Sequence, residues 1–378
     1  MKNRDCLSVN LLFKTHAGLI LSVCVLAVLG TAYQYSTSGE SWIGRPLAHA
    51  LRFCGLFLLM IVIANSSIKF WHAWAYHFYF IMLALLAAVG LIGFIGMGAR
   101  RWINLYIFTI QPSEIMKIVI ILALARYYSD IGTAMSIPSW NRLMKRCIVP
   151  LLIVFFPFLI VLKQPDLGSA VIIACIGLFT VIIAEKRPVR IFLSLISATV
   201  IALPFIWSIM HEYQKNRVIT FFNPEKHPFG SGYHIVQSKI ALGSGGFFGK
   251  GFLMGTQSKL SFLPEKHTDF IFATICEELG FLGGIVIILT YAFVIVCGLK
   301  IAKKSKSHFG MLSAGGIVIM FGLHAFINIG MVIGIIPVVG IPLQLVSYGG
   351  SSMLTFMTAL GIVLCIGLNK RTHIKGSC

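Results

Sequence analysis

Apolar residues fall in blocks of helix length, separated by short polar or glycine- and proline-rich breaks. A membrane-spanning helix needs roughly 20 mostly apolar residues. Suitable blocks lie near 16–35, 48–67, 75–96, 113–128, 146–162, 168–184, 190–210, 269–298, 310–333 and 351–368, the fourth and fifth being short. The pattern predicts an all-α polytopic integral membrane protein with about ten transmembrane helices. It places a single transmembrane domain over residues 1–378, with one long loop, 211–268, between helices seven and eight. Lys2, Arg4 and Lys14 precede the first block as they would the core of a signal peptide. No small-residue cleavage site follows, so the block reads as a retained anchor.

Composition strengthens the membrane assignment. Hydrophobic residues make up 57% of the chain and charged residues 11%, with a mean hydropathy of +0.89, where a soluble domain carries about 25% charged residues. The formal net charge of +19 raises the question of nucleic acid, and charge placement answers it. Basic residues cluster at Lys2, Arg4 and Lys14, at Lys69, at Arg126, Arg142, Lys145 and Arg146, and at Lys186, Arg187 and Arg190. Further clusters are Lys300, Lys303, Lys304 and Lys306, and the tail Lys370, Arg371 and Lys375. These 18 of the 31 Lys and Arg residues fall on one side of a ten-helix chain. That is the positive-inside pattern, with both termini cytoplasmic, and it argues against a nucleic-acid partner. The nine cysteines scatter without a C-x-x-C pair and read as small buried hydrophobes. The eleven histidines show no H-E-x-x-H or other ligand spacing, so no dedicated metal site is expected.

The opposite face takes the connections 36–47, 97–112, 163–167, 211–268 and 334–350. The fourth is long, and long loops are functional or disordered. Its Phe221, Phe222, Tyr233, Ile235, Val236, Phe247, Phe248, Phe252 and Phe262 predict that it folds against the membrane surface. It is also basic, with Lys215, Arg217, Lys226, Lys239, Lys250, Lys259 and Lys266 against Glu212, Glu225 and Glu265. Two readings stand: solvated charge, which a long loop tolerates, or an anion site. Gly243, Gly245, Gly246, Gly249 and Gly251 favour the second, because successive glycine amides can form an anion-binding nest.

Further clusters reach this face. Gly98–Trp102 reads G-A-R-R-W; Arg100 and Arg101 either snorkel beside a belt tryptophan or present planar forks to phosphate or carboxylate. Gln111–Lys117 reads Q-P-S-E-I-M-K, a helix start in which Glu114 and Lys117 can pair at i, i+3, or Lys117 can face the bundle interior and hold another carboxylate. In K-Q-P-D-L-G at 163–168, Asp166 is a helix cap or a site residue. The proline- and glycine-rich stretch Pro337–Ser352 cannot face lipid as irregular backbone, so it lines a pocket. Asp269, in L-P-E-K-H-T-D at the mouth of the eighth helix, is the first candidate for chemistry, because ionisable groups at membrane depth face water, a partner or a substrate.

Taken in order, G-A-R-R-W, Q-P-S-E, K-Q-P-D-L-G, G-S-G-G-F-F-G-K-G at 243–251, L-P-E-K-H-T-D-F-I-F at 263–272, E-E-L-G at 277–280 and S-Y-G-G-S at 347–351 resemble the SEDS family (shape, elongation, division and sporulation) of bacterial wall synthesis. Asn328–Leu343 resembles the elongation branch, RodA, more than the division branch, FtsW. The resemblance implies a peptidoglycan glycosyltransferase in the bacterial inner membrane that polymerises lipid II on its outer face. It implies a class B penicillin-binding protein and other elongation-complex membrane proteins as partners. Asp269 matches the essential aspartate of the family.

On this reading Asp269 accepts the proton of an acceptor sugar hydroxyl as that oxygen attacks the donor anomeric carbon. One carboxylate base without a paired nucleophile favours single displacement with inversion. Arg100, Arg101, Lys117 and Lys250 are the candidate cations for the diphosphate, with Glu114, Asp166, His267 and Ser347 as further substrate-binding candidates. No cofactor is required; a divalent cation, Mg²⁺ or Mn²⁺, can bridge a diphosphate. The rival readings are a flippase for the lipid-linked precursor and a scaffold for the penicillin-binding partner.

Overall fold

The computed structural model describes residues 5–96, 99–104, 109–131, 148–185, 212–224, 231–260, 262–263 and 265–369, with single positions between them. The helices are α1 (Asp5–Thr37), α2 (Arg45–Ala64), α3 (Ile68–Ile92), α4 (Pro112–Ile131), α5 (Val149–Lys163), α6 (Leu167–Ala184), α7 (Glu212–Phe222), α8 (Ser231–Gly245), α9 (Thr256–Lys259), α10 (Ile271–Lys304), α11 (His308–Ile333) and α12 (Gly350–Leu368). Among the described residues, seven are long and apolar enough to cross a membrane: α1, α2, α3, α6, α10, α11 and α12. α5 is only 15 residues long, and α4 carries Glu114, Lys117, Arg126 and Asp130. Most of the block at 190–210 lies outside the described residues.

Helix ends follow from local chemistry. Ser67, Asp166 and Ser307 cap α3, α6 and α11 by accepting from the amides of Phe70, Ser169 and Gly310. α11 stops at Gly334, whose left-handed backbone closes the last turn. The expected helical bundle is joined by a small addition, a three-stranded antiparallel meander of β1 (Phe94–Gly96), β2 (Ala99–Asn104) and β3 (Thr109–Ile110). It packs on α3 and α4 through β2, which carries Arg101 and Trp102.

α4 sits at the centre, against α3, α6 and α11, while α10 packs on α11 and α12 on α2. The long segment is folded where it is described. α8 lies on α10 and α11, burying Ile235 and Ala241, and Ser238 Oγ donates to the Val332 carbonyl at 3.0 Å. Its Phe222, Phe247, Phe248 and Phe252 remain exposed.

The glycines of 243–251 have a role other than a nest. The Lys250 and Gly251 amides donate to the Glu277 and Glu278 carbonyls at 3.0 and 2.9 Å, and the Phe281 amide donates back to the Gly246 carbonyl at 2.9 Å. Gly280 interrupts α10 with φ +67°, and a Cβ there would lie 2.3 Å from the Gly249 nitrogen. The strap therefore lies backbone to backbone on a broken helix, and these amides meet carbonyls rather than an anion.

Candidate active site

A cavity of about 200 Å³ opens among the ends of β2, α4, α6, the 265–269 segment and the Gly340–Ser352 stretch. Arg101, Glu114, Lys117, Asp166 and Asp269 all line it, joined by Trp102, Gln111, Glu265 and Tyr348. Five of the nine residues expected at the site thus share one cavity, and the irregular stretch after α11 forms its wall as predicted.

The segment carrying Asp269 is pinned by its backbone. The His267 carbonyl accepts from Gln34 Nε2 at 3.0 Å and from the Tyr348 amide at 2.9 Å. The Thr268 carbonyl accepts from Ser347 Oγ at 2.5 Å, and the Asp269 carbonyl from Asn328 Nδ2 at 2.9 Å. With three successive carbonyls held, the Asp269 side chain projects into the cavity, Oδ2 facing Gly340, where a Cβ would lie 3.5 Å away. Protein surrounds the carboxyl on most sides, and this burial raises its pKa from 3.8 to about 7. The charge of Glu265 adds to the rise and Arg217 opposes it.

The remaining charges are mutually compensated. Lys117 is 1% exposed, and its ammonium donates to Glu114 Oε1 at 2.6 Å and His324 Nε2 at 2.9 Å. His324 Nδ1 faces the Met320 carbonyl at 2.8 Å, so that nitrogen carries the proton and Nε2 accepts. Both earlier readings of Lys117 hold in part: it faces the interior, and its carboxylate is Glu114. Glu114 Oε2 is buried without a partner among the described residues. Arg101 donates to the carbonyls of Gln164 (3.1 Å) and Pro165, and lies 3.8 Å from Asp166. Asp166 caps α6 through the Ser169 amide at 3.2 Å and accepts from Gln111 Nε2 at 2.9 Å. It is both a cap and a cavity residue.

Lys250, His267 and Ser347 do not line this cavity. Lys250 pairs at 2.7 Å with Glu277, which is fully buried and also accepts from the Thr256 and Gln257 amides at 2.8 and 3.0 Å. His267 stands behind the segment: Nδ1 meets Thr37 Oγ1 at 2.9 Å and Nε2 accepts from Arg45. Burial, then the charges of Arg45 and Lys266, lowers its pKa to about 4, so it is neutral at pH 7. Ser347 also accepts from the Leu343 amide at 2.8 Å, which makes it a clamp on the Asp269 segment. The Arg100 backbone pairs with Ile95 in the meander; its side chain lies outside the described residues.

Sequence reasoning passed over Gln111, Glu265 and Tyr348, although each stood inside a quoted motif, and Asn328 and His324, whose signal was a polar residue within an apolar helix. Among the described residues, no group of three or more His, Cys, Asp or Glu side chains is placed to hold a metal ion.

The cell cycle protein family FtsW/RodA/SpoVE matches residues 9–372. Peptidoglycan glycosyltransferase MrdB of Escherichia coli K12 is 41% identical over 360 residues, covering 94% of each chain. Stage V sporulation protein E of Bacillus subtilis is 37% identical over 376 residues, covering 95% of this chain and 99% of that one. Among solved structures, a chain of a peptidoglycan synthase complex that coordinates polymerization and crosslinking superposes with a TM-score of 0.78 at 28% identity, covering 94% of this chain and 98% of that one. The rod shape determining protein RodA of Thermus thermophilus shares the fold, with a TM-score of 0.69 at 24% identity over 94% of this chain and 97% of that one. By motif order, whole-length identity and fold, the chain belongs to the FtsW/RodA/SpoVE family, the family its motifs resemble.

Proposed function

We propose that this membrane protein is a peptidoglycan glycosyltransferase of the elongation type, polymerising lipid II with Asp269 as general base. The MrdB relatives are peptidoglycan glycosyltransferases. The observation that supports Asp269 is its geometry: a clamped backbone, a carboxyl directed into a polar cavity, and a pKa of about 7. A base works best when its pKa lies near the working pH. Asp269 takes the proton of the acceptor sugar hydroxyl, the oxygen attacks the donor anomeric carbon, and the bond to the polyprenyl diphosphate breaks. One displacement inverts the centre, and the proton leaves through the cavity mouth. Glu114, Asp166, Gln111 and the paired Arg101 and Lys117 offer the hydrogen-bonding groups that orient a sugar.

A class B penicillin-binding protein is the proposed partner, a reading supported by the synthase complex that this chain resembles. The whole chain is read as one domain, with the termini cytoplasmic and 211–268 outside, as the basic-residue asymmetry indicates.

The test is polymerisation of lipid II in detergent by the purified protein with its partner. Wild type is expected to make long strands that lysozyme digests. Asp269→Asn is expected to lose activity by about 100-fold or more while still binding the partner. Near-normal strands from a folded Asp269→Asn protein would refute the assignment. Detergent also removes the two sides a flippase requires.

A further inference from the structure

The cavity at Asp269 suits hydroxyls better than a diphosphate. Four carboxylates line it, Glu114, Asp166, Glu265 and Asp269, against two cations, Arg101 and Lys117. Lys117 is committed to Glu114 and His324, and Arg101 to Asp166 and two carbonyls. A diphosphate placed there would meet net negative charge and cations already paired with carboxylates. The proposed reaction nevertheless needs uncompensated cations beside Asp269, because negative charge builds on the departing diphosphate.

The far side of the Tyr348 wall supplies them. The Arg52 guanidinium carbon lies 4.8 Å from the centre of the Tyr348 ring, and Tyr348 lines the cavity. The same guanidinium rests on the start of α12, 3.8 Å from where a Gly350 Cβ would stand. Among the described residues Arg52 has no carboxylate partner and no hydrogen bond. The positive end of the α12 dipole adds to its charge instead of balancing it. An arginine within an apolar membrane helix is costly unless it meets a ligand or partner.

Arg45 lies on the same side of α2, about two turns and 10 Å nearer the helix start. It is exposed and donates to His267, two residues from Asp269. Lys266 is near enough for the charge of Arg45 to act on it. About 120° round the helix from the two arginines, α2 turns Leu47, Leu51, Leu58 and Val62 outward, each about half exposed or more. One helix thus carries uncompensated guanidiniums beside a stripe open to lipid.

We propose that Arg45 and Arg52 seat the diphosphate of a polyprenyl-linked sugar on the membrane side of α2. The prenyl chain runs along Leu47, Leu51, Leu58 and Val62, and the sugar crosses Tyr348 to Asp269. Planar guanidinium forks suit the phosphate oxygens. This rests on the glycosyltransferase reading and moves the diphosphate away from Arg101 and Lys117.

The experiment places a benzophenone amino acid at Ala48, between the arginines, in the full chain bound to its partner. Capture of labelled undecaprenyl diphosphate is compared with that in Arg45→Gln and Arg52→Gln, and competed with unlabelled undecaprenyl diphosphate or phosphatidylglycerol. Wild type should capture the probe, and either glutamine variant should lose about tenfold, the scale of one charged hydrogen bond. Undecaprenyl diphosphate should compete where equal phosphatidylglycerol does not. In polymerisation, both variants should lower kcat/KM for lipid II about tenfold, with a fall in kcat because the arginines answer charge that grows on the departing diphosphate, and Arg52→Lys should recover part of the loss. Arg45 is exposed, so Arg45→Gln keeps the test open should Arg52→Gln fold poorly. Equal competition by phosphatidylglycerol would make this a general anionic-lipid surface and overturn the proposal, as would undiminished capture in both glutamine variants. If wild type makes glycan without capturing the probe on α2, this inference alone fails. If it captures the probe and makes no glycan, the activity assignment fails and the seat stands.

Discussion

Replacing Asp269 by asparagine should abolish activity and stabilise the folded protein, by an amount that depends on pH. Burial and the charge of Glu265 lift the Asp269 pKa from 3.8 to about 7, against the pull of Arg217. The folded protein therefore binds this proton more tightly than the unfolded chain does. Below about pH 4 both states are protonated and the aspartate costs nothing. As pH rises toward 7, the unfolded state gains by ionising while the folded state resists, so native stability falls; above 7 the penalty is constant. At about 1.4 kcal/mol per pH unit, the full penalty is about 4 kcal/mol. That is an upper bound, because the carboxyl faces a cavity that water can enter. Asparagine escapes the penalty. In a chain of this size each kcal/mol moves the Tm by about 2 °C. Melting curves of both proteins in detergent should converge near pH 4 and separate by several degrees at pH 8, Asp269→Asn melting higher. A separation that does not vary with pH, or a less stable asparagine variant at pH 8, would refute the reading of a buried, proton-holding carboxyl.

The neighbours of Asp269 should move its acid limb in opposite directions: Glu265→Gln lowers the pH at which kcat/KM is half-maximal and Arg217→Gln raises it, and shifts of the same sign would count against the electrostatic account. Asn328→Ala and Ser347→Ala leave the carbonyls of Asp269 and Thr268 unclamped and should lower kcat about tenfold with KM little changed, whereas a change confined to KM would mean that Ser347 touches substrate. Gly249→Ala places a Cβ 2.1 Å from the Glu278 carbonyl oxygen at φ +81° and should abolish recovery of folded protein by size-exclusion chromatography, while Gly243→Ala, with nothing within 4 Å, should be recovered normally. With native cysteines replaced, a cysteine at Phe222 should react with an impermeant thiol reagent outside the cell and one at Lys304 should not; reversed labelling would put Asp269 on the cytoplasmic side.

The helices were legible because an apolar block of helix length has few alternatives in a membrane, and α10, α11 and α12 lie where the blocks at 269–298, 310–333 and 351–368 put them. The wall from Gly340 to Ser352 was legible for a related reason: prolines and glycines at that depth need a cavity or a protein surface. The meander around Arg100 and Arg101 was not, since strands of two to six residues leave no usable period. Pairing was also hidden. Sequence offers Glu114 as a partner for Lys117 but presents Lys250 and Arg101 as free positive charge. Only distances show that Glu277 and Asp166 already answer those two. Glycine spacing misled in the same way, because an amide freed for close approach can meet a carbonyl as readily as an anion.

The polar groups of this protein separate into two kinds of work. Gln34, Asn328 and Ser347 lie behind the Asp269 segment and hold its carbonyls from α1, α11 and the stretch before α12. Irregular backbone at membrane depth is tolerated only when such groups are satisfied, so the position of Asp269 depends on three separate elements being in place together. Those same clamps keep its carboxyl from swinging toward bulk water, where its pKa would fall back toward 3.8. The paired charges of the cavity build a rigid wall of donors and acceptors whose net field is small or negative. Such a wall orients neutral hydroxyls and favours a base that takes up a proton near pH 7, but it repels diphosphate. The physical demands of base and leaving group are opposed, one requiring a protonatable carboxyl in a buried site and the other exposed cations at the lipid boundary. Separating them across Tyr348, with Asp269 on one side and Arg52 on the other, lets one site meet both demands without either charge quenching the other.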